Sequence, residues 1–144
     1  MHAEESALWS LDRKDGMEKA YCCFNSNARD FARFGQLLLN NGQWDGQQLI
    51  SPAYLAEATS PDTRLVYKDL GKPNHCYGFQ YWILDYKGMK IPYMRGILGQ
   101  YVFTLPERRV IVRLGHKRSD TYTADQHYPD DINTWLDAAM DLLQ

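Results

Sequence analysis

Cysteine is scarce in this chain: three among 144 residues, an odd set, with Cys22 and Cys23 adjacent. A bond between neighbours strains disulfide geometry, so a reduced, packed state is the expectation, and the redox compartment stays open. The C-x₂-C spacing that lets two thiolates reach one ion is missing, which argues against zinc at Cys22, Cys23, His75 and Cys76. The four histidines, His2, His75, His116 and His127, form no HExxH or other close pair and read as solvated loop residues. These residues call for no metal and no cofactor.

Long apolar runs are missing too. No aliphatic run exceeds three residues, as at Leu37-Leu38-Leu39, against the roughly 18 to 20 that span a bilayer. The opening His2-Ala3-Glu4-Glu5-Ser6 is acidic and polar, without the basic start and apolar stretch of a secretory signal. The expectation is that this chain carries no export signal of its own, which leaves the compartment of a longer parent undetermined. A net charge of −2, with basic residues scattered except at His116-Lys117-Arg118, offers no footprint for a phosphate backbone and argues against nucleic-acid binding.

A self-sufficient nucleophile is also wanting. A serine activated by a lysine needs that lysine one helical turn on, at Ser-x-x-Lys. Ser6, Ser10, Ser26, Ser51, Ser60 and Ser119 are followed three residues later by Trp, Arg, Arg, Tyr, Thr and Tyr. No Tyr-x-Asn or Ser-x-Asn occurs either. Glu57, Asp62, Asp85 and Glu107 fall in unrelated elements and form no carboxylate pair for acid–base work. Gly96 and Gly99 are too few and wrongly placed for a phosphate cradle. No residue of this chain is therefore assigned a catalytic side-chain role.

What is present reads as alternating punctuation and pattern. Asp12 to Gly16 is an exposed turn between Trp9 and the segment Tyr21 to Phe24. Asn27 can cap a helix, with Asp30 completing a capping-box-like pair, and Phe31, Phe34, Leu37 and Leu38 recur at helical spacing, so a helix is predicted over 28–40. Asn41-Gly42 supplies its left-handed exit. After a turn at Gln43 to Gly46, Ser51-Pro52 starts a short second helix with Tyr54, Leu55 and Ala58 on one side, ending near Ser60-Pro61. Residues 61–76 read as a long loop.

Tyr77 to Tyr86 is apolar on both faces and reads as a strand central in its sheet. A turn at Lys87-Gly88 leads to a strand from Met89, interrupted at Gly96 to Gly99 and resuming from Gln100 to Leu105. Pro106-Glu107-Arg108 turns into Arg109 to Gly115, completing a three-stranded antiparallel meander with Val110, Val112 and Leu114 on one face and Ile111 and Arg113 on the other. Pro129-Asp130-Asp131 then opens a final helix whose apolar face is Ile132, Trp135, Leu136, Ala139 and Leu143. This pattern predicts an α+β fold, an antiparallel β-meander packed against helices, with 1–144 forming a single or partial domain.

Two stretches, Asn25 to Asn40 (NSNARDFARFGQLLLN) and Arg95 to Phe103 (RGILGQYVF) with Val110 to Gly115 (VIVRLG), resemble the family of class C β-lactamases, D-aminopeptidases and related esterases. The order of Gly42 to Gly46, Leu49 to Pro52 and Tyr77 to Trp82 between them also fits the C-terminal half of that penicillin-recognising fold. The resemblance implies the C-terminal segment of a serine hydrolase, lacking Ser-x-x-Lys and Tyr-x-Asn and so inactive alone. Its partners would be the missing N-terminal part of the fold or a second copy, and its ligand a peptide, ester or β-lactam. It further implies that the family's Lys-Thr-Gly or His-x-Gly triplet falls on Ile97-Leu98-Gly99. An aliphatic Ile97 cannot supply a cation or an imidazole, which favours esterase-like or peptidase-like relatives. Gly96, Ile97, Leu98, Gly99 and Gln100 are the candidate substrate-binding residues, with the Gln100 N–H in an oxyanion hole. The same letters also suit a bulged strand, and a non-catalytic module binding a peptide, glycan or protein is the other reading.

Overall fold

The computed structural model describes residues 3–4, 6–67, 71–106, 109–117, 119–123 and 128–142. His2, Glu107, Arg108, Arg118, His127 and Leu143 lie outside them.

The turn expected near Asp12 closes a hairpin. Asp12 N–H donates to Met17 O at 2.9 Å, and Asp12 Oδ1 accepts the Met17 N–H at 3.0 Å. Strand β1 (Leu8–Trp9) thereby pairs with β2 (Phe24–Asn25). Cys22 and Cys23, expected to be reduced, are instead joined by a disulfide. Neighbouring side chains of an extended chain point to opposite sides, but Cys23 takes a left-handed φ of 70°, which brings the two sulfurs together. Cys76 is buried and takes no part in that disulfide.

Helix α1 (Ala28–Leu39) begins where its cap predicts: Asn27 accepts the Asp30 N–H at 2.9 Å. Asp30 is buried, and its carboxylate accepts from the Ser26 hydroxyl (2.9 Å), the Glu4 N–H (2.8 Å) and Arg33. At the far end, Asn41 N–H reaches Leu38 O (3.0 Å) and Gly42 N–H reaches Leu37 O (2.9 Å), with Asn41 left-handed, the paired bonds of a Schellman motif. The ring of Phe24 meets Phe31 and Phe34 edge-on at 5.7 and 5.8 Å. Two of the expected apolar residues of α1 therefore face the hairpin.

Asp45-Gly46, both at positive φ, turn β3 (Gln43–Trp44) back on β4 (Gln47–Gln48). Helix α2 (Pro52–Ala58) buries Leu55 and Ala58, whereas Tyr54, expected beside them, is exposed. The long loop contains a small ladder, β5 (Val66–Tyr67) with β6 (Lys72–Pro73), and is organised by Asn74. That buried amide donates to Asp62 O (3.0 Å) and Tyr77 O and accepts from the N–H groups of Cys76 (3.2 Å) and Tyr77 (3.0 Å).

The main sheet has four antiparallel strands rather than three among the described residues: β7 (Trp82–Tyr86), β8 (Met89–Arg95), β9 (Tyr101–Leu105) and β10 (Arg109–Arg113), in spatial order β10-β9-β8-β7. Strand β7 lies at an edge, not at the centre. It reads as central because its own upstream loop covers it: Ile83 N–H donates to Cys76 O at 2.8 Å, and Tyr77 bridges Trp82. The regular strand starts only at Trp82, since Gln80 is left-handed and Phe79 N–H is engaged by Ala58 O at the end of α2.

Alternation along the strands sorts the two faces. Leu84, Ile91, Tyr93, Tyr101, Phe103 and Leu105 pack with Tyr128, Ile132 and Leu136, so helix α3 (Asp131–Asp141) covers that face. Fully burying Ile132 and Leu136 contributes roughly 1.5–3 kcal/mol each. On the other face Gly35 of α1 fits between Val102 and Val110. The result is an α+β fold of three layers, with α1 and α3 on opposite sides of an antiparallel meander.

The β7–β8 turn is tied to α3 by charge: Lys87 Nζ lies 2.7 Å from Asp137 Oδ1, which also accepts from the Tyr86 hydroxyl. The hydrogen bond from Lys87, then that from Tyr86, holds the Asp137 carboxyl below its usual range. The bond to Asp137 likewise raises Lys87 to about 12. A lowered carboxylate stabilises the fold above its ordinary pKa and loses that contribution as pH falls through the lowered value; the raised lysine loses its share only as pH climbs through about 12. Asp137→Asn should therefore lower Tm at pH 7, and thermal melts at stepwise lower pH should show the gap to wild type closing below about pH 4; a pH-independent gap would contradict the assignment. Packing makes a second claim. A Cβ at position 35 would sit 2.6 Å from Val110 Cγ1. Gly35→Ala should thus lose about 1 kcal/mol in urea denaturation, overpacking of about 1–3 kcal/mol outweighing about 1 kcal/mol of helix propensity. The double variant with Val110→Ala should be less destabilised than the sum of the two singles.

Candidate functional site

Gly96, Ile97, Leu98, Gly99 and Gln100 are brought together, but not as a bulge in one interrupted strand. They form the hairpin loop between β8 and β9. Arg95 pairs with Tyr101, Gly96 N–H donates to Gln100 O at 2.8 Å, and Gly99 N–H to Gly96 O at 3.4 Å. Gly99 adopts a φ of 85°, which glycine reaches without a Cβ penalty. Ile97 is 79% and Leu98 51% exposed, while Gly99 is buried. The loop therefore shows solvent an apolar tip on a fixed base.

The base is held from three directions. The Gln100 amide side chain donates to Gly115 O at 2.7 Å, and its oxygen accepts the Leu98 N–H at 3.2 Å. Arg113, near the exit of β10, donates to Gly99 O and, at 3.1 Å, to Lys117 O. The same guanidinium lies 4.3 Å from the Trp135 ring of α3 and 5.6 Å from that of Tyr101, within cation–π range. On the β8 side, the Arg95 guanidinium sits 3.5 Å over Trp82, whose ring meets Tyr77 at 4.7 Å. Sequence reasoning missed Arg113, Gly115, Lys117 and Trp135 as site neighbours. The available signal was a cation, Arg113, at the exit of a strand whose interior, Val110 to Val112, is apolar.

The loop's chemistry lies in its backbone. Among the described residues the Gln100 N–H donates to no backbone carbonyl, whereas the carbonyl of the same peptide unit is gripped by Arg113. Serine hydroxyls are engaged locally: Ser26 on Asp30, Ser60 on Ala56 O at 2.7 Å and Ser119 with Thr121, while Ser51 caps α2. His75 and His116 sit exposed in loops. Among the described residues no three of His, Cys, Asp and Glu converge where a metal could sit, and no helix is long and apolar enough to cross a membrane.

The fold and site thus define an α+β layered unit carrying a glycine-flanked, backbone-braced hairpin at one end of its sheet. Among solved structures, one assigned as a 6-aminohexanoate-dimer hydrolase from Bacillus anthracis matches 97% of this chain at a TM-score of 0.68 and 26% identity. This chain spans about a third, 34%, of that protein's length. No family model matches the sequence, and no curated protein does.

The left-handed Gly99 yields a direct test. An added Cβ would strike Arg113 Nη1 and lie 2.7 Å from Lys117 O. Gly99→Ala should cost about 1–3 kcal/mol of stability in urea denaturation, the usual scale for a strained non-glycine backbone; a loss below about 0.5 kcal/mol, the range of ordinary surface substitutions, would mean that the loop is not locked.

Proposed function

We propose that this chain is the C-terminal part of a β-lactamase-related serine hydrolase. It supplies the sheet, the terminal helix and one wall of an acyl-transfer cleft, while the nucleophile belongs to a preceding part of the fold. The observation that carries this is the braced Gly96–Gln100 hairpin, set in an architecture similar to about a third of a hydrolase. In the reaction, a serine Oγ bonds to the carbonyl carbon as its proton passes to a base. The carbonyl electron pair moves onto oxygen, and the collapse of that oxyanion expels an alkoxide or amine that takes up the proton. Water then repeats the attack and releases the acid. In this reading the Gln100 N–H donates to the oxyanion.

Ile97 directs the substrate class. With no cation or imidazole at the loop tip, recognition of a β-lactam carboxylate loses its usual partner, and linear esters or amides are favoured. The 6-aminohexanoate dimer named for the structural neighbour is one such amide. Strand β10 is paired on one side only among the described residues, and Leu114 and Trp135 are 46% and 45% exposed. That edge and surface are where the preceding part of the fold would pair; in its absence the chain would self-associate.

The test is burst and turnover with a chromogenic ester and a chromogenic β-lactam, on this chain alone and on one extended upstream through the nearest Ser-x-x-Lys. Activity of the extended chain only, with ester preferred, is the expected result. Stoichiometric acylation of the short chain would overturn the reading, and inactivity of both would point to a module that binds a peptide, glycan or protein.

A further inference from the structure

We infer that Arg113 is a positioning residue for acyl transfer, acting through the peptide unit between Gly99 and Gln100; this rests on the proposed oxyanion role of the Gln100 N–H. The reason is covalent. A trans peptide is planar, with its C=O and N–H pointing in opposite directions. Whatever holds the Gly99 carbonyl therefore aims the Gln100 N–H. In this structure that grip is the Arg113 guanidinium. A cationic donor on the carbonyl also polarises the amide and strengthens its N–H as a donor.

Arg113 is itself fixed. Its second nitrogen donates to Lys117 O at 3.1 Å, and its plane is flanked by Trp135 and Tyr101. The Trp135 indole N–H donates to Asp131 Oδ2 at 3.2 Å within α3. Gly99 and Gly115 are both needed for this arrangement, since a Cβ on either would collide with the Arg113 guanidinium. The terminal helix and the hairpin loop thus converge on the Arg113 guanidinium at the end of β10. Neighbouring Gln100 contributes a second brace through Gly115 O, so removing Arg113 frees the plane to rotate without releasing the loop entirely.

Two measurements test this. In the chain extended through Ser-x-x-Lys, Arg113→Met should slow single-turnover acylation of the chromogenic ester by about ten- to hundredfold, below the about 10²–10³-fold cost of deleting a donor outright. KM should change little, and Arg113→Lys, which keeps the charge and can reach one carbonyl, should recover part of the rate. In the ¹⁵N-labelled chain by itself, Arg113→Met should shift the Gln100 amide resonance while those of Val102 and Val110 stay in place. An unchanged acylation rate, a loss confined to KM, or a Gln100 amide that does not move would overturn the inference. Failure of the underlying hydrolase reading looks different: the extended wild-type chain would not be acylated at all, and the amide resonance would then decide whether Arg113 sets this peptide.

Discussion

All five residues of β9 are buried, and the rest of the structure follows from covering them. A strand with apolar side chains on both faces cannot leave either face in water. Phe103 and its register partners recruit Ile132 and Leu136 on one side, while Val102 draws α1 in on the other. The close approach of α1 depends on Gly35, because any larger residue there meets the branched Val110. Since β9 is also the strand that leaves the Gly96–Gln100 loop, the rigidity of the core passes directly to the candidate site.

In the proposed reading, that site would work through backbone rather than side chains. Ile97 and Leu98 at its tip offer neither proton nor charge, and the polar groups that matter are carbonyls and amides held by Arg113 and Gln100. Such a loop can stabilise developing charge but cannot attack a carbonyl carbon. The proposed reading divides the chemistry between this chain, which spans about a third of the solved hydrolase, and a preceding part of the fold that would pair with the β10 edge, open on one side among the described residues.

Local rules reached far along this chain. The caps of α1 and α2, the Asn41-Gly42 exit and the turn at Asp12 were legible because each is decided by a handful of neighbouring atoms. The misreadings share an opposite cause. Glycines at 96 and 99 suit a bulge and a hairpin alike, and what selects the hairpin is pairing of Arg95 with Tyr101. Strand β7 reads as central because burial, not position, shapes its composition, and here a folded-back loop supplies that burial. Adjacent cysteines join because of one left-handed residue that the letters do not reveal.

By itself, then, the sequence determined the helices, several of the turns, the α+β class and the absence of a Ser-x-x-Lys spacing, since periodicity, caps and spacing are properties of nearby residues. Only the tertiary structure decided that Arg113 grips the Gly99–Gln100 peptide while Lys117 and Trp135 hold Arg113 and Gly115 anchors the Gln100 side chain. Those residues lie in β10, the segment after it and α3. They come together only because the sheet and its covering helix share one buried core, and no spacing along the chain encodes the distance across it.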